Sequence, residues 1–133
     1  MTFVDSNIPM YLIGAAHSHR AEAQIMLERL VASGERLVTD AEVLQEVLHR
    51  YAALQRRDAI APALRLLLDI IDEVFPIEQA DVLRASEIVR NPLGLSARDA
   101  IHIAIMQRYK VGSILSFDAD FDKWPGLRRL YQV

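Results

Sequence analysis

Short apolar runs and longer stretches of helical periodicity alternate along this chain. The short runs are rich in β-branched and aromatic residues and are predicted to form strands: TFVD, RLVT, EVFPI, SILSF and LRRLYQ. Between them, apolar residues recur every three to four positions, which predicts helices with one apolar face. The helices are expected at residues 10–31, from residue 40 onward, after Pro62, at residues 78–90 and across SARDAIHIAIMQRYK.

This alternation is typical of right-handed βαβ units, which place parallel strands side by side with helices on both faces of the sheet. The predicted fold class is therefore α/β, with a mainly parallel sheet of four to five strands. Pro76 favours an edge position for EVFPI, because proline cannot donate a hydrogen bond to a neighbouring strand. A length of 133 residues and a hydrophobic content of 52% fit one domain with a self-sufficient core.

The composition excludes several kinds of chemistry. The absence of cysteine excludes disulfides, thiolate nucleophiles and cysteine-ligated zinc. A net charge of −3 means that a polyanion would have to be bound by a local basic patch. The N-terminus has no basic region before an apolar run, and no window approaches the ~20 apolar residues of a membrane span. We therefore expect a soluble, cytoplasmic protein without a membrane partner.

Acidic residues follow two of the predicted strands. Asp5 ends the first strand and Asp118 follows SILSF, and functional groups of open parallel sheets gather at the carboxyl ends of the strands. Asp99 lies in the first turn of the helix in SARDAIHIA, while Glu42 and Glu46 lie one turn apart on an earlier helix. Each of these acids, taken alone, also fits an ordinary role in a helix cap or a turn.

The group as a whole suggests a metal site. Two carboxylates ~4 Å apart repel each other by about 4 kcal/mol at an effective dielectric constant of ~20, so converging acids need a positively charged partner. Oxygen ligands without cysteine suit the hard cations Mg²⁺ and Mn²⁺. Because such ions activate water and stabilise charge on phosphoryl groups, hydrolysis of a phosphodiester is the natural hypothesis.

Four segments in order resemble the successive blocks of a PIN domain: FVDSNIPMYL, VTDAEVLQEVLHRY, LSARDAIHIAIMQRY and ILSFDADFDKWPGL. They are most similar to the small VapC-type toxins of bacterial type II toxin–antitoxin systems, and they extend from residue 3 to about residue 127. The resemblance implies a single PIN domain over residues 1–133, folded as a three-layer α/β/α sandwich. It also implies a metal-dependent endoribonuclease that is usually dimeric and is held inactive by a cognate antitoxin protein.

The resemblance also implies the site residues. The four acids of the family fall on Asp5, Glu46, Asp99 and Asp118, which are expected to be both catalytic and metal-binding. Glu42 remains an alternative to Glu46, because one turn of register separates them. Asp120 either supports the site or starts a helix before Phe121.

The expected roles follow from these positions. Asp5 and Asp99 are predicted to bind one Mg²⁺ or Mn²⁺ directly or through water, while Glu46 and Asp118 complete the cluster and orient the attacking water. Asn7 and Ser116 are candidate donors that hold the carboxylates in place.

Other residues could reach the site, but ordinary structural or solvent-exposed roles are favoured for them. His17 and His19 are expected to face solvent, His102 to be a packed or hydrogen-bonded histidine, and Trp124 to plug the C-terminal turn. The basic residues closest in sequence to the acids, any of which could contact RNA phosphates, are Arg50, Arg56, Arg57, Arg98, Lys123, Arg128 and Arg129.

Two other functions compete with the ribonuclease. A receiver-like signalling domain would also hold Mg²⁺ in an acid pocket, but it would need a lysine at the end of a late strand, where Ser116 and Asp118 stand here. A non-catalytic PIN-like binding module is the second alternative. The apolar excess in the helices around residues 10–31 and 61–71 suggests a homodimer and a groove for the antitoxin, while the RNA target stays open.

Overall fold

A computed structural model describes residues 1–14 and 16–132 of the chain. Its strands are β1 (Thr2–Val4), β2 (Leu37–Asp40), β3 (Glu73–Phe75), β4 (Ser113–Leu115) and β5 (Arg128–Leu130). Its α-helices are α1 (Asn7–Ile13), α2 (Arg20–Ala32), α3 (Ala41–Ala53), α4 (Ile60–Ile70), α5 (Gln79–Arg90) and α6 (Ala97–Arg108). Two 3₁₀ turns, Arg57–Ala59 and Ala119–Lys123, complete the regular structure that is described.

The five strands form one parallel sheet in the order β3-β2-β1-β4-β5. The α/β class and the parallel sheet predicted from the sequence are confirmed, and β3 lies at an edge as Pro76 suggested. The chain moves from β1 to β3 in one direction and then crosses back to β4 beside β1. Right-handed crossovers therefore place α1 to α4 on one face and α5 and α6 on the other. The contacts agree, since α1 packs on α4 while α5 packs on α6.

Helix boundaries follow local capping chemistry. The carboxylate of Asp40 accepts a hydrogen bond from the Val43 amide at the start of α3, and the Ser96 hydroxyl accepts one from the Asp99 amide at the start of α6. The strands β1 and β2 are buried along their whole length, as expected for the centre of a parallel sheet covered on both faces. None of the helices in the described residues is long and apolar enough to cross a bilayer.

The single helix predicted for residues 10–31 is wrong. The structure has two helices there, because α1 ends at Ile13 and α2 begins only at Arg20. The apolar spacing continues across the break, so periodicity alone could not reveal it. The excess apolar residues of α4 are also not all buried: Ala63 and Leu67 face the core, whereas Leu68 is 48% exposed.

Candidate metal centre

The acids meet where the sheet reverses its strand order. Strands β1 and β4 are parallel neighbours, and the connections that follow them lead away in opposite directions. Asp5 comes directly after β1, while Ser116 and Asp118 follow β4. Such a switch point opens a crevice at the carboxyl ends of the strands, where ligands of open α/β sheets bind.

Asp5 is held from several sides. One carboxylate oxygen accepts hydrogen bonds from the Ser116 hydroxyl at 2.6 Å and from the Asn7 side-chain amide at 3.4 Å, and the other accepts one from the Ser6 amide at 2.7 Å. Burial raises the pKa of Asp5, and the charge of His102 and the Ser116 hydrogen bond oppose that rise. The donor roles predicted for Asn7 and Ser116 match these contacts.

Glu46 reaches the same place from α3. Its carboxylate accepts hydrogen bonds from the Ser6 hydroxyl at 2.7 Å and from Nε2 of His102 at 2.5 Å. Glu42, one turn earlier, is half-buried and makes no hydrogen bond to these groups among the described residues. The geometry thus brings Glu46, rather than Glu42, next to Asp5.

His102 connects Glu46 to a further acid, Asp40. The imidazole is fully buried, and its Nδ1 lies 2.7 Å from a carboxylate oxygen of Asp40. Burial by itself lowers the pKa of His102, but Asp40 and Glu46 outweigh it and raise that pKa well above the ordinary value. Both ring nitrogens therefore carry protons and donate to carboxylates. Burial raises and His102 lowers the pKa of Glu46, with a net decrease, so Glu46 is ionised at neutral pH.

The part played by His102 and Asp40 was only partly foreseen. His102 is a hydrogen-bonded core histidine as expected, and the less favoured alternative, a hydrogen bond near the site, also occurs, through Glu46. The available signal was its position three residues after Asp99, on the same side of α6. Asp40 gave no separate signal, because an acid between a strand and a helix is ordinary capping chemistry.

A second acidic group adjoins the first. Asp99, Asp118 and Asp120 each place a carboxylate oxygen within 4.8 Å of the others. Burial, followed by the negative charges of Asp118 and Asp5, raises the pKa of Asp99 to about 6. The backbone amide of Asp118 donates a hydrogen bond to the Ser116 hydroxyl. Asp120 instead forms an ion pair with Lys123 at 3.0 Å.

These residues fit a divalent cation. After burial, the charges of Asp118 and Asp5 contribute to the raised pKa of Asp99, and a cation would offset those charges; the donors are all hard oxygen ligands. The buried Oδ1 of Asn7 has no hydrogen-bond partner among the described residues, which leaves one more oxygen free beside Asp5. Asp99, Asp118 and Asp5 could hold the ion, and Glu46, which is held by Ser6 and His102, lies beside Asp5.

A cleft of about 450 Å³ opens beside Glu46 and Asn7, and Tyr11, His17, Arg50 and Arg98 are among the residues that line it. Of the basic residues considered from the sequence, Arg50 and Arg98 thus reach the cleft.

Other basic residues have different surroundings. Arg129 is nearly buried and pairs with Asp122, and Arg56 pairs with the exposed Asp58. The guanidinium groups of both arginines are therefore engaged in ion pairs within the protein.

The remaining candidate aromatic residues divide between the cleft and the core. His17 is exposed as expected, but its ring stacks on Tyr11, and His19 is half-buried against Phe117. Trp124 packs against the hydrophobic core, in agreement with its predicted structural role.

Comparisons with known proteins bear on this geometry. Residues 2–127 match the family model described as PIN domain. Ribonuclease VapC13 of Mycobacterium tuberculosis is 53% identical over 130 residues, which cover 98% of this chain and 99% of that protein. The fold is also similar to the crystal structure of Mycobacterium tuberculosis VapC20, which is described as a sarcin-ricin loop cleaving toxin. The TM-score is 0.75 at 25% identity, and the match covers 92% of this chain and 93% of that one. A toxin–antitoxin complex from Klebsiella pneumoniae has a TM-score of 0.71 at 22% identity, with both chains fully covered.

Proposed function

This chain belongs to the PIN-domain family and, within it, to the VapC ribonucleases, and from this premise we propose that its acidic cluster hydrolyses RNA phosphodiester bonds with the help of a divalent cation. It is an endoribonuclease and acts as the toxin of a toxin–antitoxin pair. The observation that carries the assignment of the site is the closeness of the Asp99 and Asp118 carboxylates, together with the pKa of Asp99, which burial and then the charges of Asp118 and Asp5 raise to about 6.

The proposed ligands of Mg²⁺ or Mn²⁺ are Asp5, Asp99 and Asp118, with Glu46 at the edge of the cluster. When bound, such an ion offsets the carboxylate charges, activates water and stabilises negative charge on a phosphoryl group. Ser116 and Asn7 keep Asp5 oriented toward the ion through their hydrogen bonds. Asp120 stays outside this set, because its carboxylate is engaged by Lys123.

The role proposed for Glu46 differs from that of the metal ligands. Hydrogen bonds from Ser6 and His102 fix the position of its carboxylate, and its lowered pKa keeps it ionised. An ionised and immobile carboxylate at the edge of the cluster is suited to orient the attacking water by accepting a hydrogen bond from it. This assignment favours Glu46 over Glu42 as the site glutamate.

We also propose a cognate antitoxin and a second copy of the chain as partners. The fold is shared with a chain of a Klebsiella pneumoniae toxin–antitoxin complex, and several large apolar side chains are exposed. Those on the face formed by α1 to α4 include Ile25, Leu48 and Leu68, while Val82, Leu83 and Val89 lie on α5. Apolar side chains are thus exposed both on the face formed by α1 to α4 and on α5, so one surface can bind the antitoxin and the other a second copy of the chain.

The test of the proposed chemistry is Asp99→Asn, with Asp69→Asn as the matched control. Asp99→Asn keeps nearly the same shape but removes a charged ligand, so metal-dependent RNA cleavage should fall by at least about a hundredfold. Asp69 is exposed at the end of α4 that leads into β3, at the opposite edge of the sheet, and its variant should cleave at the wild-type rate. Rates are measured on structured RNAs with Mg²⁺, with Mn²⁺ and with a chelator.

Circular dichroism and thermal melting of each variant establish that it is folded. Undiminished cleavage by folded Asp99→Asn, or cleavage by the wild-type protein that persists in chelator, would disprove the proposed metal site. A wild-type protein that binds a partner but cuts none of the RNAs would instead favour the non-catalytic module.

A further inference from the structure

We propose that Tyr11, His17, His19 and Phe117 form an aromatic platform on which an unpaired base of the RNA stacks while its neighbouring phosphate lies at the acids. The inference rests on the proposed ribonuclease function and adds to it a place for the base and a preference for unpaired nucleotides. These four residues are referred to below as the aromatic platform.

The rings of the platform form one connected cluster. Tyr11 and His17 are stacked with centroids 3.9 Å apart and planes 10° from parallel, and His19 stacks on Phe117 at 4.4 Å and 16°. Tyr11 lies 5.6 Å from Phe117, which joins the two pairs. His17 also lies 5.4 Å from His19, and it is the exposed member of the cluster, so a further flat ring can stack on the cluster there.

The platform is held in place by hydrogen bonds. Nδ1 of His17 accepts a hydrogen bond from the His19 amide at 3.0 Å, which fixes the orientation of the imidazole. The guanidinium of Arg20 donates to the Tyr11 carbonyl at 3.0 Å and also to the Gly14 carbonyl. Rings that are already fixed lose little conformational entropy when a base stacks on them, and this favours a binding role.

The platform adjoins the acids on one side and the cleft on the other. Phe117 lies between Ser116 and Asp118 in the chain, and burial together with the charges of Asp5 and Asp118 raises the pKa of Tyr11. Tyr11 and His17 line the cleft that also contains Arg50 and Arg98. A nucleotide in this cleft therefore meets rings, carboxylates and guanidinium groups together.

This combination matches the chemistry of single-stranded nucleic acid. Positive side chains contact the phosphates, and aromatic rings stack on bases in a way that tolerates different sequences. A base within a duplex is already covered on both faces by its neighbours, so it cannot add to the platform without being unstacked. The platform should therefore select unpaired nucleotides next to the cleaved bond.

The experiment compares the RNA affinity and the kinetics of platform variants. The probes are a fluorescein-labelled unstructured oligoribonucleotide and a hairpin that contains the same nucleotides in base pairs. Dissociation constants are measured by fluorescence anisotropy in chelator, and KM and kcat are measured with Mn²⁺. The variants are His17→Ala and Tyr11→Leu, which remove a ring, and Tyr11→Phe, which keeps it. The matched control is His49→Ala, which alters an exposed histidine of α3 that lies outside the lining of the cleft.

We expect His17→Ala and Tyr11→Leu to weaken binding of the unstructured probe by roughly tenfold and to raise KM more than they lower kcat. They should leave hairpin binding nearly unchanged, so that the preference for unpaired RNA disappears. Tyr11→Phe should restore that preference, and His49→Ala should retain it.

Failure of this inference differs from failure of the proposed function. If the wild-type protein cleaves RNA but His17→Ala keeps the same KM and the same preference for the unstructured probe, the platform is wrong and the ribonuclease stands. If the wild-type protein neither binds nor cleaves either probe and also cuts none of the structured RNAs, both are wrong. Because His17 is exposed, its variant remains decisive even if Tyr11→Leu fails to fold.

Discussion

His102 donates hydrogen bonds from both ring nitrogens, one to Asp40 and the other to Glu46. Its positive charge also opposes the burial-driven rise in the pKa of Asp5 and of Asp99. The protein itself therefore supplies one cation among the converging acids. Because the folded pKa of His102 lies above the ordinary value of 6.5, its stabilising contribution is complete below about pH 6.5 and is lost as pH rises through the folded pKa.

His102→Leu should lower the free energy of unfolding by about 3–5 kcal/mol at neutral pH, because it leaves the fully buried Asp40 without its positively charged partner. Urea denaturation measures the loss. Adding Asp40→Asn should recover part of it, since asparagine can still cap α3 but carries no charge. The exposed His49→Leu serves as the control and should change stability by no more than about 0.5 kcal/mol. Strictly additive losses in the double variant would contradict the proposed ion pairing.

Gly14, the residue that caps the C-terminal end of α1, occupies a closely packed position. A Cβ atom at Gly14 would lie 2.7 Å from the Met10 carbonyl oxygen and 3.1 Å from the Tyr51 hydroxyl. Any larger residue therefore has to displace the C-terminal end of α1. Because Tyr11 belongs to that last turn, this short element positions both the helix break and part of the aromatic platform.

Gly14→Ala should destabilise the fold by about 1–3 kcal/mol, as expected when atoms are forced into a packed site. Gly112→Ala is the matched control. A Cβ atom at Gly112 meets nothing within 4 Å, so that variant should be neutral or slightly stabilising through the lower entropy of its unfolded chain. Thermal and urea denaturation of both variants measure the difference. Equal stability of the two variants would show that the close contact does not restrict Gly14.

The topology of the sheet brings together acids that are far apart in the chain. Asp5 and Asp118 lie beyond neighbouring parallel strands, while Glu46 and Asp99 come from helices on opposite faces of the sheet. Burial, followed by the charges of Asp118 and Asp5, raises the pKa of Asp99 to about 6, a property of the assembled site that no single segment has. Proton binding and cation binding should therefore compete.

Mn²⁺ affinity should fall as pH decreases below about 6, by up to roughly tenfold per pH unit, because Asp99 must lose its proton before it can bind the ion. Above that pH the dependence should flatten. Isothermal titration calorimetry at about pH 5 and about pH 7 measures the affinity, and buffers of different ionisation enthalpy report proton release. Asp99→Asn should have a shallower pH dependence than the wild-type protein. Equal dependence in both proteins would assign the proton to another group.

Local information in the chain was sufficient for much of this structure. Alternating periodicities predicted five strands and most helices, and four motif blocks led to the PIN-domain family, which the comparisons confirm. Strand-end positions also singled out Asp5 and Asp118, which the structure places at neighbouring strand ends. These features could be read because strand periodicity, caps and motifs depend on residues close to one another in the chain.

Contacts between distant segments could not be read in the same way. Three such contacts join different elements. Glu46, rather than Glu42, lies near Asp5, His102 bridges to Asp40, and His19 stacks on Phe117. The hydrogen bond from the Tyr51 hydroxyl to the Met10 carbonyl, at 3.4 Å, likewise joins the end of α1 to another helix. A shift of one helical turn, or a rotation of one side chain, would break each of these contacts. Which arrangement forms is therefore settled only when the helices pack on the sheet, because that packing involves the whole chain.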